Sequence, residues 1–317
     1  MPLIRSAFRP PWYFGNGHLQ TILPVVFDRS ADPGFLRERL ELEDGDFLDL
    51  DWLCGGGSKL VILSHGLEGH SRDGYMRSAS KAFREAGWDV LAWSFRGCSG
   101  EMNRLARFYH SGETGDLGKV IERAFCGYSR IGLVGFSLGG NLILKYLGER
   151  PPHPAVIGAV AISAPVDLAS SALALDRNPG NRIYLRRLID SLIRKVEEKA
   201  RVFPEIIDVC GVEKIHGFAD FDDRYSSRLH GFADAEDYWA RCSSRPLIPN
   251  INVPALLLNA RNDPFLTKES FPFDEAAASP MFSLEAPDSG GHLGFIETWK
   301  IVPGYAARRA VEFLGSA

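Results

Sequence analysis

A serine set between two glycines constrains this chain more than any other feature. In Gly135-Phe136-Ser137-Leu138-Gly139 a G-x-S-x-G pattern separates the apolar run Ile131-Gly132-Leu133-Val134 from Asn141-Leu142-Ile143-Leu144-Lys145-Tyr146-Leu147. The first run predicts a short buried strand and the second a helix. A serine on such a strand-to-helix turn is held in a strained conformation with its hydroxyl above the sheet edge, and the glycines leave room for neighbouring backbone. The first turn of the helix aims unpaired N–H groups at the same point, which suits a developing negative charge.

The rest of the chain reads as strands alternating with helices. Leu40 and Leu42, the turn Asp44-Gly45, then Leu48, Leu50 and Trp52 alternate as a β-hairpin does. Leu60-Val61-Ile62-Leu63 is a continuous apolar run, expected to be a central strand buried on both faces. Met76, Ala79, Ala82, Phe83 and Ala86 recur at helical spacing up to the stop signal Gly87. Residues 90–95, 156–162, 253–260 and 281–284 add strands, and 114–125 and 304–314 add helices. The predicted class is α/β: a mostly parallel sheet with an antiparallel N-terminal hairpin and helices on both faces. Residues 1–36 show no period, and Pro10-Pro11 and Pro24 are expected to break any helix there.

Residues 166–250 interrupt the rhythm. Ile183, Leu185, Leu188, Ile189, Leu192, Ile193 and Val196 make an apolar stripe, which predicts an amphipathic helix over 181–200. Its opposite face carries Arg186, Arg187, Arg194 and Lys195 and is expected to point outward. An insertion at the C-terminal strand ends lies over the ligand crevice of such a sheet. Residues 166–250 are therefore expected to form a helical cap on a single domain spanning 1–317.

Composition narrows the function. A net charge of −4 gives no electrostatic footprint for nucleic acid. Five scattered cysteines without a C-x-x-C pair suggest reduced thiols in a cytoplasmic protein. The N-terminal stretch lacks the apolar region of a leader, and no apolar run approaches the roughly 18 residues that cross a membrane. No phosphate-cradling loop is present, and neither His18 nor His110 has metal-ligand spacing to a partner, so neither cofactor nor metal is expected. Oligomeric state is left open.

A serine hydroxyl needs an adjacent base to act as a nucleophile. Downstream, Asp263 follows a strand in Asn259-Ala260-Arg261-Asn262-Asp263-Pro264, and His292 lies in Ser289-Gly290-Gly291-His292-Leu293-Gly294. The order Ser, Asp, His is the one found in the α/β-hydrolase fold. Ser137, Asp263 and His292 are the expected catalytic set. Backbone N–H groups of Leu138 and Leu67 are the expected oxyanion donors. His65 beside them is expected to prop its loop.

Asn16-Gly17-His18-Leu19-Gln20-Thr21-Ile22, His65-Gly66-Leu67-Glu68-Gly69, Phe95-Arg96-Gly97-Cys98-Ser99-Gly100-Glu101, Tyr109-His110-Ser111-Gly112-Glu113-Thr114 and Gly135-Phe136-Ser137-Leu138-Gly139-Gly140-Asn141 together resemble the YheT-like branch of the AB hydrolase superfamily. The resemblance runs from about residue 10 to the C-terminus. It implies an α/β-hydrolase fold and a serine hydrolase cleaving carboxylic esters, with Ser137, Asp263 and His292 as the triad and a small-molecule ester as substrate. Two alternatives use the same residues: acyl transfer to an alcohol, and a non-catalytic ligand-binding scaffold.

Overall fold

The computed structural model describes residues 2–27, 30–298 and 304–316, so Met1 and Ala317, the ends of the stretch expected to form one domain, lie outside it. The chain opens with strand β1 (Leu3–Ile4), helix α1 (Gly17–Val26) and the strands β2 (Leu36–Glu41), β3 (Phe47–Leu53) and β4 (Leu60–Ser64). It continues through α2 (Gly74–Glu85), β5 (Asp89–Ser94), α3 (Thr114–Phe125), β6 (Ile131–Phe136), α4 (Leu138–Glu149) and β7 (Val156–Ile162). Helices α5 (Leu168–Arg177), α6 (Arg182–Val202), α7 (Phe218–Phe221), α8 (Ser227–His230) and α9 (Ala235–Cys242) follow before β8 (Ala255–Leu258), α10 (Phe273–Ala278), β9 (Phe282–Glu285) and α11 (Tyr305–Gly315).

Hydrogen bonds align the strands in the order β1-β9-β8-β7-β6-β4-β5-β3-β2. All pairs are parallel except β2 with β3 and β3 with β5, so the hairpin forms an antiparallel edge. Ser64 at the end of β4 pairs in register with Gly135 at the end of β6. Because β6 continues to β7 on its other side, the loops leaving β4 and β6 open together, as they do at a topological switch point.

The central strands β4, β6 and β8 are buried on both faces, which is why they read as unbroken apolar runs. Leu60 and Ile62 of β4 pack on the side of α3 and α4, with Leu117, Ile121 and Leu142. Val61 and Leu63 point the other way, onto Met76 and Phe83 of α2 and Ala310 and Leu314 of α11. The helices between β7 and β8 close on a separate core, in which Ile189, Leu192 and Val196 of α6 meet Phe218, Phe221 and Trp239.

Two expectations need correction. Pro24 does not prevent a helix: it sits inside α1. Asn16 caps that helix, its side chain accepting from the N–H groups of His18 and Leu19 at 2.9 and 3.2 Å. The carbonyl that Pro24 leaves without a donor is that of Gln20. Gly294 seats against it so closely that a Cβ there would lie 2.0 Å from the oxygen. The basic face of α6 does not all point outward either. Arg186 does, pairing loosely with Asp190 at 3.7 Å, but Lys195 is buried against the loop after β4.

Candidate active site

The turn after β6 places Ser137 with φ +52° and ψ −119°, a conformation rarely tolerated outside glycine. Its N–H donates to the Ile162 carbonyl at 2.8 Å, tying the turn to the next strand. Both flanking glycines are sterically required. A Cβ on Gly135 would meet the Gly139 carbonyl at 2.2 Å, and one on Gly139 would meet the Ser64 carbonyl at 2.4 Å.

The three residues expected to act together lie in one hydrogen-bonded line. His292 Nε2 is 3.0 Å from Ser137 Oγ, and His292 Nδ1 is 2.9 Å from Asp263 Oδ2. A carboxylate only accepts, so Nδ1 carries the proton and Nε2 is free to accept from the serine. The other Asp263 oxygen accepts the N–H of Phe265 at 2.9 Å, and the Phe265 ring stacks on the imidazole at 4.1 Å. An imidazole so fixed can take a proton from the hydroxyl and return it.

Leu138 opens α4, so its N–H has no carbonyl one turn behind it to bond. On the other side Gly66 approaches Ser137 so closely that a Cβ there would lie 3.2 Å from Ser137 Cβ, which brings Leu67 beside the serine. Leu67, Leu138, Ser137 and His292 all line one cavity of about 1140 Å³. Its apolar walls include Leu175 of α5, Leu188 and Leu192 of α6, Phe218 of α7 and Trp239 of α9.

His65 is not part of this line. Its Nδ1–H donates to the Gly66 carbonyl at 2.7 Å and its Nε2 accepts the Phe95 N–H at 3.0 Å. Burial pushes its pKa down to about 3, so the ring is neutral. His18 bonds the Tyr184 hydroxyl at 3.0 Å, and His110 Nε2 lies 3.3 Å from Glu113. Among the described residues no three His, Cys, Asp or Glu side chains are placed to hold a metal, and no helix is long and apolar enough to cross a membrane.

Two supporting groups were not assigned from the sequence. The first is the inward face of α1, formed by Gly17, Gln20 and Thr21. The His292 N–H donates to Thr21 Oγ1 at 2.9 Å, and Thr21 Oγ1 donates to the Gly17 carbonyl at 2.7 Å. Gln20 is fully buried, bonding the Phe14 carbonyl at 2.7 Å and the Ile296 N–H at 2.9 Å. Asn262 completes the clamp, its amide donating to the Gly15 carbonyl and accepting from Gly291 N–H. The unusual polarity of Asn16–Thr21 in an otherwise aperiodic arm was the available signal.

The second group centres on Glu68, which has φ +53°. Its carboxylate accepts from Lys195 Nζ at 2.6 Å, Ser191 Oγ at 2.8 Å and Tyr109 Oη at 2.8 Å. Lys195 also lies 3.1 Å from Cys98 Sγ. Burial alone would lower the Lys195 pKa, but Cys98 and Glu68 beside it hold it above its ordinary value. Burial pushes the Cys98 thiol up to about 11. One turn of α6 thus anchors the Gly66–Gly69 turn through a buried ion pair.

A family model described as the alpha/beta hydrolase fold matches residues 59–298. YheT of Escherichia coli strain K12, a candidate esterase by name, is 36% identical over 92% of this chain and 87% of its own length. Human phospholipase ABHD3 is 25% identical, over 93% of this chain and 75% of that protein. Among solved structures, the esterase Pf2001 of Pyrococcus furiosus superposes with a TM-score of 0.60 at 19% identity, covering 99% of both chains, which bears on the fold alone. By family model, relatives and sheet topology together, the chain belongs to the α/β-hydrolase family, in the branch that contains YheT.

Proposed function

We propose that this chain is a serine hydrolase of carboxylic esters, with short- to medium-chain acyl esters as its substrates. The observation that carries the reading is the continuous hydrogen-bonded line from Ser137 Oγ through His292 to Asp263 on the wall of a largely apolar cavity. Ser137 Oγ attacks the acyl carbon as His292 Nε2 takes its proton, and the carbonyl oxygen becomes an oxyanion held by the N–H groups of Leu67 and Leu138. Collapse breaks the ester C–O bond, and the alcohol leaves with the proton from His292. Water, deprotonated by the same nitrogen, then attacks the acyl-enzyme and releases the acid. Asp263 keeps the imidazole in the tautomer that both steps need.

In this reading residues 166–250 are the cap, because α5 and α6 wall the cavity that would take the acyl chain. The names of its relatives, an esterase and a phospholipase, support ester chemistry. An organophosphorus probe imitates the tetrahedral intermediate and should add once per chain, on Ser137, as read by intact mass. Ser137→Ala should keep its circular dichroism while losing both labelling and hydrolysis. A folded parent that takes up no probe, or a mutant that still cleaves esters, would sink the proposal.

A further inference from the structure

Helix α1 has two faces. Gly17, Gln20 and Thr21, at i, i+3 and i+4, turn inward toward the His292 loop. Leu19, Ile22 and Val26, at i, i+3 and i+7, turn away from it and are 44%, 36% and 65% exposed. Ile22, Val25, Val26 and Phe27 are exposed large apolar side chains that also line the cavity, so they stand at its mouth. Ile183, at the start of α6, is 74% exposed and lines the same mouth. An exposed apolar group of this size beside a cavity marks an interaction surface.

The charge at this rim is one-sided. Arg187 and Arg194 of α6 are exposed, line the mouth and enter no ion pair or hydrogen bond with the described residues. The carboxylates that line the cavity are already engaged. Glu68 accepts from Lys195 and Ser191, Asp73 is paired with His70, and Asp222 accepts from Ser226 and Trp239. The four arginines that line the cavity, Arg72, Arg77, Arg187 and Arg194, outnumber its three lining carboxylates, so the rim is cationic although the chain as a whole carries a net charge of −4. Apolar side chains that can enter an acyl boundary, flanked by arginines at headgroup level, are the signature of a segment lying on an anionic membrane surface.

We infer that the cavity mouth, built from the outward face of α1 and the start of α6, docks on an anionic lipid bilayer. The inference deepens the ester-hydrolase reading and rests on it for the step after docking, in which the substrate is an ester lipid whose acyl chain passes from the bilayer into the cavity. The continuity of patch and cavity favours a lipid surface over a protein partner, because an acyl chain can make that passage without crossing water.

The test uses the Ser137→Ala protein, so that docking is read without turnover. It is co-sedimented with vesicles of phosphatidylcholine alone and of phosphatidylcholine mixed equally with phosphatidylglycerol. Binding should be strong only with phosphatidylglycerol and should weaken as salt is raised. Adding Arg187→Gln and Arg194→Gln should lower the partition coefficient roughly thirtyfold, and Val25→Ser with Val26→Ser should lower it as well, with folding checked by circular dichroism. Absence of phosphatidylglycerol-dependent binding, or arginine variants that bind like the parent, would overturn the inference. So would sedimentation velocity showing that the valine variants turn a dimer into a monomer, since a second copy would then be the occupant. Hydrolysis of p-nitrophenyl butyrate by the unmutated protein separates the two readings. Turnover without vesicle binding removes the docking surface alone; vesicle binding without turnover removes the hydrolase.

Discussion

The two flanks of Ser137 are held in place by different physics. On the His292 side the clamp is neutral: hydroxyl, carboxamide and backbone groups of α1 and Asn262 bond the loops that carry His292 and Asp263. On the Leu67 side the clamp is a buried ion pair, Glu68 with Lys195, reaching from the loop after β4 to α6. Neutral bonds fix geometry whatever the ionic conditions. A buried pair holds only while both partners are present, because a lone buried charge is strongly unfavourable. His292 is thus tied to the N-terminal arm, and the turn bearing Leu67 is tied to the helices between β7 and β8.

The largest expected effect falls on the His292 side, at its chemical end. Asp263→Asn should leave the fold intact and lower kcat by roughly 10⁴, by analogy with serine-protease triads. Kinetics on a soluble ester measure this, and a loss under about tenfold would assign the orienting carboxylate elsewhere. Next comes the charged side. Lys195→Ala leaves Glu68 buried without its cation, and denaturant unfolding should show a loss of about 3–5 kcal/mol. Pairing Lys195→Met with Glu68→Gln should recover most of it, and no recovery would mean that packing, not charge, holds the contact.

Thr21→Val tests the neutral clamp away from the chemistry. It removes the acceptor of the His292 N–H and should reduce stability by about 1–3 kcal/mol, with kcat falling more than KM rises. The smallest effect sharpens the contrast along α6 itself. Lys199, one turn beyond Lys195, is almost fully buried and donates to the carbonyls of Asn103 and Leu105. Burial pushes its pKa down to about 8. The folded protein gives up this proton near pH 8, whereas the unfolded chain keeps it to about pH 10.5, so stability should rise with pH across that window. In Lys199→Met the rise should disappear, while stability at neutral pH changes little, because the roughly 1–3 kcal/mol lost at each of two carbonyls without a donor is offset by no longer burying an ammonium. Denaturant unfolding at several pH values reads both.

The strands that read clearly in the sequence are those whose side chains meet only apolar surroundings. The runs at Leu60–Ser64 and Ile131–Phe136 are buried on both faces, so local hydrophobicity and tertiary environment agree. Ser137, Asp263 and His292 each sit in a loop directly after a strand or between glycines, a placement that sequence spacing preserves. Helix α1 was missed because its inward face is polar. Gln20 and Thr21 are buried by hydrogen bonds to loops some 270 residues later, at Ile296 and His292, which no local period records. Lys195, expected to point outward from the amphipathic helix, is buried for the same reason, since its partner Glu68 lies on a distant loop.

Five non-glycine residues adopt positive φ among the described residues: Glu68, Ser137, Ser163, Leu293 and Phe295. Four lie on the loops that carry Leu67, Ser137 and His292, and the fifth, Ser163, accepts the N–H of Leu293 at 3.0 Å. At about 1–3 kcal/mol each, their combined strain is comparable to the roughly 5–15 kcal/mol net stability of a typical domain. A screen for heat-resistant variants would therefore be drawn to glycine at these positions, where relief of strain is largest. Those same variants would release the backbone around the serine, so selection for heat resistance alone would select against turnover.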